Sequence, residues 1–200
     1  GETQVRVKVG KSVTTIPLRV SNFSSYPPVH FEGDVLPLFS KLGCNSGGCH
    51  GKQSGQNGFR LSVFGSDARA DFDALVKEGR GRRVFPGAIE RSLIYSKAVG
   101  ISAHGGGQRM SAESQDAQLL REWLRQGMPW GSDQAARVEK ITVYPKLRVM
   151  VPRSQQQLRV VATYNDGRTR DVTRAASYSS NETVISDCDS RGVIQTGKVA

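Results

Sequence analysis

Gly43-Cys44-Asn45-Ser46-Gly47-Gly48-Cys49-His50-Gly51 is the stretch on which the reading of the whole sequence turns. Two cysteines with a histidine directly after the second form the attachment pattern of a c-type haem, in which each thiol adds across a vinyl group and the imidazole ligates the iron. The usual pattern leaves two residues between the cysteines; here there are four. The porphyrin fixes the span between its vinyl groups, so the extra residues must loop out, and Gly47 and Gly48 can take the positive-φ conformations such a bulge needs. Cysteine spacing alone is degenerate. A small Cys44–Cys49 disulfide loop beside an ordinary histidine, and a Cys2His2 zinc site from Cys44, Cys49, His50 and His104, both stay open.

On the N-terminal side of this stretch, Asp34 to Leu42 reads as a helix, with Asp34 as its cap and Pro37 in its first turn, where a missing N–H costs little. On the C-terminal side, Gly51 to Gly58 is loop, and Phe59 to Phe64 is a short extended segment. Ala70, Phe72, Leu75 and Val76 recur at helical spacing within 67–77, and Ile89 to Ala98 supplies a further short helix. The clearest helix follows Ser111 or Ser114 as cap. In it Ala117, Leu120 and Leu124 form one stripe with Leu119 and Trp123 beside it, and Gly127 closes it.

The flanks change period. Thr3, Val5, Val7 and Val9 alternate with polar residues, and residues 14–20 follow a turn at Gly10-Lys11-Ser12, which predicts a β-hairpin over 1–21. Residues 22–29, with Pro27-Pro28, read as a linker. From 138 to 200 the apolar residues again alternate, in Ile141–Tyr144, Leu158–Tyr164 and Thr183–Ile185, with Asn165-Asp166-Gly167 as a turn signal. The resemblance described below implies a further alternating strand after Gly192-Val193-Ile194, which the sequence to Ala200 does not supply. Either residues 1–21 end an upstream domain, or the hairpin supplies that strand, within the chain or in a strand-swapped homodimer.

The C-x4-C-H pattern, the segment Trp123-Leu124-Arg125-Gln126-Gly127-Met128-Pro129-Trp130, the run Tyr164 to Thr173 and Ser179-Ser180-Asn181 together resemble the c-type cytochrome domains of large exported planctomycete proteins, which stand beside bacterial immunoglobulin-like domains of group 2. The resemblance covers nearly the whole chain. It implies a multi-domain fold: an all-α cytochrome c-like domain over 30–131 and an all-β immunoglobulin-like sandwich over 138–200. It also implies haem c as cofactor, single-electron transfer, and a periplasmic or extracellular location. The chain reads as an electron-transfer module more than a catalyst. Gas or peroxide binding, and a structural role for the haem, are the competing readings.

The second axial ligand decides between carrier and open site. Cytochromes of this kind bring it from the loop before the last helix, which here is His104-Gly105-Gly106-Gly107-Gln108-Arg109-Met110. The resemblance therefore implies ligation by His50 and His104, with Met110 as fallback. Met128, Met150 and His30 are placed elsewhere. Three glycines after His104 suggest backbone passing close to a porphyrin face. They also resemble an esterase oxyanion loop, but no Gly-x-Ser-x-Gly elbow accompanies them. Among Arg80, Arg82, Arg83 and Arg109, the choices for neutralising haem propionates are Arg83 and Arg109, since a guanidinium fork matches a carboxylate.

The 200 residues are 37% hydrophobic and carry a formal charge of +10. No run is long enough to span a bilayer. The charge suits an acidic redox partner, whereas the basic residues are too scattered for a nucleic-acid site. Of three cysteines, Cys188 is left over and reads as packed.

Overall fold

Aromatic contacts radiate from Phe31, which is wholly buried against Phe39, Phe72, Trp123 and Trp130. The molecule is seen here as a computed structural model, which describes residues 1–21 and 26–198. Phe31 opens a π-type turn, Phe31–Val35, that runs into α1 (Leu36–Lys41). The helical start therefore lies earlier than Asp34. His30 is the cap, and its N–H donates to the Asp34 carboxylate at 2.9 Å, so Asp34 closes the turn from inside.

Helix α2 (Ala68–Val76) is capped by Asp67, whose side chain accepts from the Ala70 N–H. Helix α3 (Leu93–Ala98) follows a 3-10 turn, Ile89–Arg91. Helix α4 (Gln115–Arg125) is capped by Ser114 and buries Ala117, Leu120, Trp123 and Leu124. Trp123 donates its indole N–H to the Pro129 carbonyl, and the Phe31 N–H bonds to the Trp130 carbonyl, which fastens the chain after α4 to the start of α1. Leu36, Leu38, Leu61, Leu75, Val84, Tyr95 and Met110 complete this core.

The hairpin forms as β1 (Glu2–Val9) and β2 (Ser12–Arg19), with Thr3 opposite Leu18, Val5 opposite Ile16 and Val7 opposite Thr14. It stands as a separate two-stranded sheet and is exposed along its whole length. The C-terminal region makes two three-stranded sheets. One has the order β3–β5–β6, from β3 (Val138–Tyr144), β5 (Arg159–Tyr164) and β6 (Thr169–Asp171). The other has the order β4–β8–β7, from β4 (Gln155–Gln157), β8 (Val193–Thr196) and β7 (Ser186–Cys188).

These elements correct the expected architecture. The chain is mixed: of the described residues about 24% are helical, in four short α-helices together with π and 3-10 turns, and about 23% are strand, almost all in three small sheets, and residues 30–131 are not an all-α cytochrome domain. The physical reason is length. The α-helices run only 6 to 11 residues, and the segments between them are held by glycine turns and side-chain bonds instead of helical ladders. Within the chain the hairpin does not pair with the C-terminal strands either, since among the described residues each of its strands pairs only with the other. Of the linker expected over 22–29, residues 22–25 lie outside those described. Val29 belongs to the helical unit: it is buried, and its N–H bonds to the Gln126 side chain. No helix among the described residues is long and apolar enough to cross a membrane.

Candidate functional site

The cysteine loop begins where α1 ends. The Cys44 N–H bonds to the Phe39 carbonyl, and Gly43, at φ +72°, supplies the left-handed residue that turns the chain out of the helix. Ser46 to Cys49 is a turn closed by the Cys49 N–H on the Ser46 carbonyl, and the His50 N–H then returns to the Cys44 carbonyl at 3.0 Å. The four-residue spacer is thus folded into a ring that brings both cysteines and His50 to one place. Gly47 and Gly48 sit exposed at its apex with open space around them, and neither is left-handed. The glycine that the loop needs is Gly51, where a Cβ would lie 2.2 Å from the Asn45 carbonyl oxygen.

His50 is half-buried, and its Nδ1 lies 3.0 Å from the Phe59 carbonyl oxygen. A carbonyl only accepts, so Nδ1 carries the proton and Nε2 keeps a lone pair. His104 repeats the arrangement, its Nδ1 being 2.9 Å from the Gly107 carbonyl. The two imidazole rings lie 6.3 Å apart, centre to centre, and within 8° of parallel. Burial pushes the His50 imidazolium below its usual range against the opposing bond to Phe59, and His104 adds to the depression. His50 is therefore neutral at neutral pH, the form in which an imidazole can donate to a metal.

The loop carrying His104 is closed at its base by the Arg109 and Met110 N–H groups on the Ala98 carbonyl. Of its three glycines only Gly107 is left-handed. Gly106 leaves room for the ring and for Arg109, since a Cβ there would meet His104 Cε1 and Arg109 Nη2 at 3.0 Å. Arg109 Nη2 in turn lies 3.4 Å from Cys49 Sγ. Burial pushes the Cys44 thiol up to about 11, the Arg109 guanidinium pulling the other way.

Of the remaining sequence candidates, Met110, Met128 and His30 are engaged elsewhere. Met110 is buried in the core, and Met128 packs against it. His30 Nδ1 accepts from the Ser132 N–H. Arg83 does come near His50, but its guanidinium is taken up by the Gly58 and Ala74 carbonyls and covers the Phe59 ring. The contribution of Phe59 was not visible in the sequence because it is made by a backbone oxygen. All three cysteines are free, and no group of three or more His, Cys, Asp or Glu side chains among the described residues forms a metal cage. The His50 and His104 rings, parallel beside the cysteine loop, are the groups that could hold a metal cofactor.

No protein-family model, no curated protein and no solved structure matches the chain.

Proposed function

We propose that the chain carries one haem c, joined through Cys44 and Cys49 and ligated by His50 and His104, and that it passes single electrons. The observation supporting this is the histidine pair. Their rings lie 6.3 Å apart, centre to centre, and within 8° of parallel, with the cysteine loop beside them, and these two would be the residues to hold the group. Haem c, when bound, supplies a one-electron carrier whose potential follows its axial ligands.

The chain's own residues do the rest. The Phe59 and Gly107 carbonyls hold both Nδ1 protons and so orient each Nε2 donor. Arg109 offers a cation beside Cys49 for a carboxylate of the bound group, whereas the Arg83 fork is already occupied by backbone carbonyls. Covalent haem attachment carries with it an exported location, and the charge of +10 suits an acidic redox partner.

Intact-mass analysis after maturation in a host competent for haem attachment tests the reading. One added haem is expected, absent from Cys44→Ser/Cys49→Ser, with a low-spin spectrum that turns high-spin in His104→Ala. A bare polypeptide would end it.

A second reading, reversible binding of a diatomic gas or peroxide, is favoured by one observation: the hydrogen bond to the His104 ring comes from within its own glycine loop, three residues away. Rapid uptake of carbon monoxide by the reduced protein would favour that reading, and slow or no uptake the closed carrier.

A further inference from the structure

The Phe59 carbonyl is shared, accepting from the Gln56 N–H at 2.9 Å as well as from His50 Nδ1. Its position is therefore set by the tight turn from Gly55 to Phe59, in which Gly55 and Gly58 are both left-handed. A Cβ on Gly55 would lie 2.5 Å from that same oxygen. Such a turn has little apolar surface with which to fix itself.

Arg83 supplies what the turn lacks. Its guanidinium donates to the Gly58 carbonyl and, on its other arm, to the Ala74 carbonyl of α2. Its Cζ lies 4.6 Å from the Phe59 ring centre, and the Phe59 ring packs 4.6 Å from the His50 ring. The side chain is largely buried, with Glu78 reaching it at 3.8 Å from the exposed side. The Arg83 backbone is itself fastened, its carbonyl accepting the Ile94 N–H at the start of α3. One planar, five-donor group thus ties α2 to the turn that holds His50.

We propose that Arg83 is the positioning residue for His50: it fixes the Phe59 carbonyl against Nδ1 and so sets the orientation and donor strength of the imidazole. A firmly held Nδ1 proton makes the opposite nitrogen a stronger donor to a metal. The role in ligation rests on the haem reading, but the chain of contacts from Arg83, through the Gly58 carbonyl and the Phe59 ring, to the Phe59 carbonyl on His50 does not.

The test uses the full chain as wild type, Arg83→Lys and Glu78→Gln. Lysine keeps the charge and loses the fork and the stacked plane. Nitrogen-15 NMR follows exchange of the His50 Nδ1 proton, a readout that needs no haem. Exchange about tenfold faster in Arg83→Lys is expected, the size of one weakened hydrogen bond, with amide protection in α4 unchanged and Glu78→Gln matching wild type. In chain carrying haem, the same variant changes the low-spin ferric resonance spectrum, which reports the imidazole plane. If Arg83→Lys does not fold, Phe59→Leu, which keeps the carbonyl and removes the stacked ring, is expected to speed the same exchange. An unchanged Nδ1 exchange rate, or a loss of protection spread evenly through α4, overturns the inference. Absence of haem from the wild type, with the exchange effect intact, would fail the proposed function alone.

Discussion

Lys41, at the end of α1, places its ammonium between both carboxylate oxygens of Asp116 in the first turn of α4, at 3.1 and 2.8 Å. The two side chains are only 10% and 27% exposed, so the pair is shielded well enough to matter. Asp116 also sits where a helix N-terminus favours negative charge. Truncating it strands a nearly buried ammonium. Asp116→Ala is expected to cost about 2 kcal/mol, read as a lowered urea midpoint with unchanged slope. Lys41→Met, which removes the buried charge as well, should cost less.

The cysteine loop separates its glycines sharply. Gly51→Ala forces a side chain into the Asn45 carbonyl, and a loss of at least ~3 kcal/mol is expected, since the contact is with backbone that cannot swing aside. Gly47→Ala meets open space at an ordinary φ and should stay within about 0.5 kcal/mol of wild type. Thermal unfolding of the two variants side by side checks the contrast.

Asp71 is buried in α2 and accepts from both the N–H and the hydroxyl of Ser62, tying the segment after Phe59 to the helix. Burial pushes its carboxyl above the usual range in spite of those bonds. The folded state therefore holds the proton more tightly than the unfolded chain, so its contribution is greatest below the unfolded value and declines as pH rises through the folded one. The stability of wild type minus that of Asp71→Asn should fall as pH rises from about 4 and then level off. Urea midpoints between pH 3.5 and 7 give the comparison, and a difference that grew with pH would contradict the assignment.

The hairpin offers a dynamic test. Strands β1 and β2 bury nothing, and two strands alone are marginal in water. Their amides should exchange at least ~100-fold faster than those of Val160 and Ala162 in β5, which are buried. Hydrogen exchange by mass spectrometry resolves the two regions. Protection in the hairpin that appears only at high protein concentration would reveal a second copy covering it.

Much of this was legible where a signal was local. The stripe of α4 with Ser114 among its two candidate caps, the helix following Asp67 and the hairpin about Gly10-Lys11-Ser12 all follow from spacing and caps within a few residues. The start of α1 was hidden because Asp34, a good cap by type, bonds backward to His30 from inside the turn. The extended segment expected over 59–64 has no ladder; Phe59 folds back on Gln56 in a lone bridge, and a 3-10 turn, Val63–Gly65, follows. His50 and His104 were marked by motif and loop position, whereas the neighbours of Arg83 come from residues 9 and 25 positions away. No periodicity encodes such partners. The glycine-rich connections were read as serving a bulge and a close approach, whereas the left-handed residues beside the two histidines are Gly43 and Gly107 and the crowded one is Gly51.

The turn from Ser46 to Cys49 has one more consequence. The ring that gathers the cysteines is sealed by the His50 N–H on the Cys44 carbonyl, below an apex that touches nothing. Spacer length and ring closure are thereby uncoupled. Residues grafted between Gly47 and Gly48 would extend into solvent while the seal beneath them stayed shut, which makes this apex the natural place to attach a probe or an affinity handle.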